Sequence, residues 1–176
     1  ILRLFLAMLF VGSATALAQY DYPSVIVGIG GYGSVPVGSQ LDIEVYIYQD
    51  STLQQSFGSF NLFFTYDPMA LTCIGITQGA LRDSCGCEAF QYQPGQLLPG
   101  KHAIRLMAVA DLNNGSHHPS SYLAGKTGQL AKMRFQLTSD SAYLWAAGTQ
   151  LEFYWNDCLD NTLTTVANDS LLFSKE

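Results

Sequence analysis

Apolar and polar residues alternate with a period of two along much of this chain. In Leu41-Asp42-Ile43-Glu44-Val45-Tyr46-Ile47-Tyr48 the aliphatic residues fall on one side and acidic or tyrosyl residues on the other. The stretch Ser59-Phe60-Asn61-Leu62-Phe63-Phe64-Thr65-Tyr66 puts Phe60, Leu62, Phe64 and Tyr66 on a single face. Successive strand side chains point to opposite faces, so four large apolar groups in register describe a strand lying across a sandwich core. Asp67-Pro68 ends it, because proline has no ladder donor and presets a turn. The second face, Ser59, Asn61, Phe63 and Thr65, is polar except for Phe63, which would be exposed unless something covers it.

Further strands are predicted at Ser24–Ile29, Met69–Thr77, Ala89–Tyr92, His102–Ala110, Gln129–Leu137, Gln150–Trp155 and Leu171–Phe173. A turn at Pro36–Ser39, the strand end at Gln78-Gly79, and a turn bracketed by Pro94-Gly95 and Pro99-Gly100 separate them. In Gln129–Leu137 the residues Ala131, Met133, Phe135 and Leu137 are expected in the core. No stretch after residue 20 keeps an i, i+3, i+4, i+7 apolar pattern for long, so no helix is predicted. Short strands at tight, regular spacing read as one all-β sandwich.

Composition agrees with this. Only 12% of the 176 residues are charged, half the usual share, while ten Tyr, ten Phe and sixteen Gly suit strands and tight turns. Residues 1–18 stand apart, with Arg3 ahead of an apolar run from Leu4 to Val11 and Ala16-Leu17-Ala18 closing the segment. This is the pattern of a secretory signal peptide cleaved after Ala18, leaving a domain over 19–176. The run is too short to span a bilayer, so no membrane insertion of the mature chain is expected. Without Arg3 the formal net charge goes from −6 to −7. An acidic exported domain with no basic stripe excludes nucleic acid as the natural partner and favours a glycan or another protein.

Four cysteines, Cys73, Cys85, Cys87 and Cys158, are disulfide candidates in an oxidising compartment, where four allow three pairings. One intervening residue makes a Cys85–Cys87 bridge strained. Free thiols are a second reading, and a metal site with His117 and His118 a third, although Cys85-Gly86-Cys87 lacks the usual zinc spacing.

A set of elements carries a family resemblance. Pro36-Val37-Gly38 precedes an alternating strand, followed by Gly58-Ser59-Phe60-Asn61-Leu62-Phe63-Phe64-Thr65-Tyr66-Asp67-Pro68-Met69-Ala70-Leu71 and Gly79-Ala80-Leu81. Ala108-Val109-Ala110-Asp111 and Gly128-Gln129-Leu130-Ala131-Lys132-Met133-Arg134-Phe135 come later. Together they resemble a cohesin domain over residues 24–174, which implies an Ig-like or jelly-roll β-sandwich of about nine strands. Cys85–Tyr92, Asp111–Gly115 with His118-Pro119-Ser120, and Phe153–Asn161 resemble exported bacterial cohesin-like proteins more closely. That resemblance implies a Cys85–Cys158 pairing, although Cys87 and Ser121 depart from its pattern. Cohesins bind dockerin modules through one face of the sandwich, so a dockerin-like protein partner or cell-surface adhesion is implied.

Several residues could carry function. Tyr46, Tyr48, Phe63 and Trp155, or Tyr154 in its place, could form an aromatic platform on which a polysaccharide stacks or a protein anchors. Asp157, Asp160 and Asn161 could hold calcium, as could Asp111, Asn113 and Asn114, although neither has EF-hand spacing and the plainer reading of both is Asx residues bonding their own turns. Otherwise no cofactor is expected. Asp42, Glu44, Glu152 and Asp157 are linked by no catalytic motif, and no G-x-S-x-G or H-E-x-x-H occurs. The sequence thus points to a non-catalytic binding module. The alternatives are a carbohydrate-binding module with an aromatic face, and a structural domain of a larger secreted protein.

Overall fold

In a computed structural model the described residues form nine strands and one short helix. It describes residues 25–30, 35–49, 57–81, 87–98, 100–112, 127–155 and 161–165. The strands are β1 (Val25–Gly30), β2 (Gln40–Gln49), β3 (Phe57–Tyr66), β4 (Leu71–Gln78), β5 (Ala89–Leu98), β6 (Lys101–Val109), β7 (Gly128–Leu137), β8 (Leu151–Phe153) and β9 (Thr162–Thr165). The helix α1 covers Ser141–Ala147. One sheet runs β1-β2-β7-β4; the other runs β5-β6-β3-β8, with β9 also paired to β3. All pairings are antiparallel.

The alternation read from the sequence sets which side of each strand is buried. Leu41, Ile43, Val45 and Ile47 of β2 face Phe60, Leu62, Phe64 and Tyr66 of β3 in one core that also holds Ile104, Leu106, Met133 and Phe135. Burying each such side chain contributes roughly 1.5–3 kcal/mol. Tyr66 meets Phe135 of the opposite sheet edge-on, with ring centroids 5.2 Å apart. A short helix absent from the sequence reading follows β7. Asp140 caps it by accepting the Tyr143 N–H at 2.9 Å, and Gly148 ends it with φ 70°. Only Leu144 of this helix is buried.

The β3 strand has two partners along one edge. Its Phe64–Tyr66 half pairs with β8 and its Phe57–Asn61 half with β9, a strand the sequence did not signal. The β5 strand continues through Pro94-Gly95, where a turn was expected, because an edge strand tolerates a missing donor. The segment 1–18, the expected strand Leu171–Phe173, and His117, His118, Asn113 and Asn114 lie outside the described residues.

Candidate functional site

The outer face of the β5-β6-β3-β8 sheet gathers the most varied chemistry in the described fold. Register places Phe63 beside Arg105 of β6, and Asn61 beside Met107. Gln91 and Gln93 of β5 extend the same rows. Tyr154, just past β8, donates its backbone N–H to the Phe63 carbonyl at 2.8 Å, so it stands level with Phe63 on the other side. The two rings meet edge to face, 5.2 Å apart at 82°. The Arg105 guanidinium lies 6.0 Å from the Phe63 ring centroid, and its Nε donates to Asn61 Oδ1 at 2.8 Å.

One end of this face is closed by a salt bridge across β3, from Lys101 Nζ to Glu152 Oε1 at 3.0 Å. Glu152 is the register partner of Thr65, which the sequence put on a solvated face and which is only 4% exposed. Phe63 itself is half-buried between Arg105 and Tyr154, so the anticipated cover exists.

The opposite outer face belongs to the β1-β2-β7-β4 sheet and is dominated by charge. Arg134 grips Asp42 with both ends of its fork, Nε–Oδ1 at 2.6 Å and Nη2–Oδ2 at 2.9 Å, and Lys132 adds a contact at 3.7 Å. The hydrogen bond from Arg134 is the largest cause holding the Asp42 carboxyl below its usual range. Tyr46 donates its hydroxyl to Glu44 Oε2, and Tyr48 stands 59% exposed two residues on.

The four aromatic candidates therefore do not converge. Tyr46 and Tyr48 lie on one outer face and Phe63 on the other, because β2 and β3 belong to different sheets. Trp155 packs on Phe153, 6.2 Å away, and Tyr154 rather than Trp155 touches Phe63. Phe63 and Tyr154 are nearly perpendicular, so they form no flat row of rings. The alternation pattern alone singles out neither Arg105 nor Trp145 as a candidate. An arginine at a single outward position is an identifiable signal, whereas Trp145, 75% exposed, sits on a helix too short to show periodicity.

Asn161 is the described member of the Asp157, Asp160 and Asn161 group, and its side chain is already committed. It is fully buried at φ 56°, its Oδ1 accepting the Phe63 N–H at 2.7 Å and its Nδ2 donating to the Tyr154 carbonyl at 2.5 Å. Asp157 and Asp160 lie outside the described residues. No group of three or more His, Cys, Asp or Glu able to hold a metal occurs among the described residues. Cys73 and Cys87 both carry free thiols in this structure, and burial pushes the Cys73 thiol up. Both pack against the core from its rim. Cys85 and Cys158 fall outside the described residues. Asp42 and Glu152, considered as catalytic carboxylates, are on opposite outer faces, each held by a cation.

The chain matches no sequence-family profile and no curated protein sequence. Solved structures do match it in fold. The sixth cohesin of scaffoldin B from Acetivibrio cellulolyticus, solved with a mutant Cel5 dockerin, is 15% identical and covers 86% of this chain and 93% of its own, with a TM-score of 0.58. The cohesin of a Coh-OlpA–Doc918 complex, a type I cohesin–dockerin pair from Clostridium thermocellum, is 12% identical over 84% and 91%, with a TM-score of 0.59. The seventh ScaB type I cohesin of Pseudobacteroides cellulosolvens is 15% identical over 84% and 82%, at 0.54. Two antiparallel sheets of this shape give the chain a cohesin-like fold.

Proposed function

We propose that this chain is an exported, non-catalytic binding module that attaches to a dockerin-like protein through the outer face of the β5-β6-β3-β8 sheet. The observation that carries the reading is the composition of that face. Arg105 and Asn61, with Gln91 and Gln93 beyond them on β5, flank the half-buried pair Phe63 and Tyr154 on one side, an apolar contact bordered by polar groups. Protein interfaces have this anatomy, whereas stacking on sugar rings needs aromatic faces presented flat. The complexes formed by two of the similar cohesins support the same class of partner. Export rests on the signal-like segment 1–18.

Mobility shifts of the purified chain against a panel of recombinant dockerin modules test this, run beside affinity electrophoresis in soluble and insoluble polysaccharides. A dockerin shift abolished by Phe63→Ala supports the reading. Retardation by polysaccharide alone would transfer it to a carbohydrate-binding module. That second reading draws on Tyr46 and Tyr48, adjacent on the other outer face with Tyr48 largely exposed. If neither ligand binds, the structural-domain reading stands.

A further inference from the structure

We infer that Arg105 selects the partner, and that the protein segment docking on the β5-β6-β3-β8 face presents a carboxylate to its guanidinium; this rests on the protein-binding role proposed above. Four cations are described with their surroundings, and three are spent on carboxylates of this chain: Lys101 on Glu152, and Lys132 and Arg134 on Asp42. Arg105 meets no carboxylate among the described residues. Its Nε donates to Asn61 Oδ1 at 2.8 Å and its Cζ lies 6.0 Å from the Phe63 ring centroid, so the side chain is held by a neutral group that does not neutralise it. The Nη edge of the guanidinium remains, the side that matches a carboxylate with two parallel hydrogen bonds.

The setting strengthens the inference. The chain carries a formal net charge of −6, so a held cation with no carboxylate partner among the described residues, in the middle of a sheet face, is an exception to its own electrostatics. The neighbours in register are Phe63 and Gln93, which add no charge. An acidic side chain from a partner would meet a cation already oriented, with less rotamer entropy to lose than a free arginine has. A polysaccharide without acidic groups has nothing to place there.

The test uses the full chain and the same dockerin panel. For any module that binds, affinity is measured for the wild type, Arg105→Gln, Arg105→Lys and, as a control on the opposite face, Arg134→Gln. The expected result is a loss of about tenfold or more for Arg105→Gln, the scale of one charge-assisted contact. Arg105→Lys should recover little of it, because lysine lacks the fork, and the salt dependence seen in the wild type should flatten in Arg105→Gln. Exchanging a partner Asp or Glu for Arg should rescue Arg105→Glu. Arg105→Gln binding within about twofold of wild type overturns the inference and leaves the protein-binding reading intact. If no module binds, that reading fails and the inference falls with it.

Discussion

The side chain of Asn161 occupies the place of a missing strand residue beside Phe63. Its carboxamide oxygen takes the Phe63 N–H at 2.7 Å while its nitrogen reaches the Tyr154 carbonyl at 2.5 Å. This is the point where the partner of β3 changes from β8 to β9, and a plain ladder cannot serve both. Asparagine suits the site because it offers both a donor and an acceptor and tolerates the left-handed backbone found here at φ 56°.

Asn161→Ala should therefore lose about 2–4 kcal/mol of unfolding free energy, from two orphaned backbone groups and a strained φ. Asn161→Gly relieves the strain but restores neither hydrogen bond, so it should fall between the wild type and Asn161→Ala. Urea denaturation of all three measures this. A change below about 0.5 kcal/mol in Asn161→Ala would mean that the splice contributes nothing.

Gly79 supplies a second prediction. A Cβ there would lie 2.1 Å from the Gln129 carbonyl oxygen, because Gly79 donates its N–H to Leu130 at 2.9 Å and runs close against β7. Backbone has to move to admit it. Gly79→Ala should cost more than about 2 kcal/mol, whereas Gly95→Ala, with open space around the new methyl, should stay within about 0.5 kcal/mol. Thermal melts of the pair decide it, and equal midpoints would contradict the close approach.

Asp42 gives a dependence on pH. The folded-state pKa lies below that of the unfolded chain, which is about 3.9. A depressed carboxyl contributes stability above the unfolded value and loses that contribution as pH falls through the folded one. The stability difference between wild type and Asp42→Asn should thus be constant from about pH 5 to about pH 8 and close below roughly pH 4. It should be small and shrink further in salt, since the pair is exposed. A difference that widened on acidification would reverse the assignment.

The cysteines offer a chemical check. Alkylation of the unfolded protein without reductant, followed by peptide mass spectrometry, should find both Cys73 and Cys87 labelled. In the native protein Cys73 should react slowly, because burial raises its pKa and leaves little thiolate at neutral pH. Recovery of either residue in a disulfide-linked peptide would refute the free-thiol assignment.

The sandwich was legible because its main strands obey a strict period of two. The rows Leu41 to Ile47 and Phe60 to Tyr66 needed no tertiary information to assign their inner faces. What escaped were elements with too few residues to show a period, namely β9, with four, and α1, with seven. Neither lies on a repeating apolar pattern. The candidate face was only half legible for a related reason. Alternation tells which side of a strand is outward, but not which strands share a sheet, so Tyr46 and Phe63 looked like neighbours until the sheet order separated them. Asn161 looked like a ligand because a buried amide that stitches two strands has the same local sequence as a turn.

The stitch at Asn161 has a kinetic consequence. The hydrogen bond from Phe63 joins residues 98 positions apart, so the central strand of this sheet acquires its last neighbour only after residues 161–165 have emerged and found it. Closing so long a loop makes assembly slow relative to a helical protein of similar size. Until then Phe57 and Phe60 border an open strand edge, the form in which β-proteins aggregate. A chain built this way benefits from being held extended until it is whole.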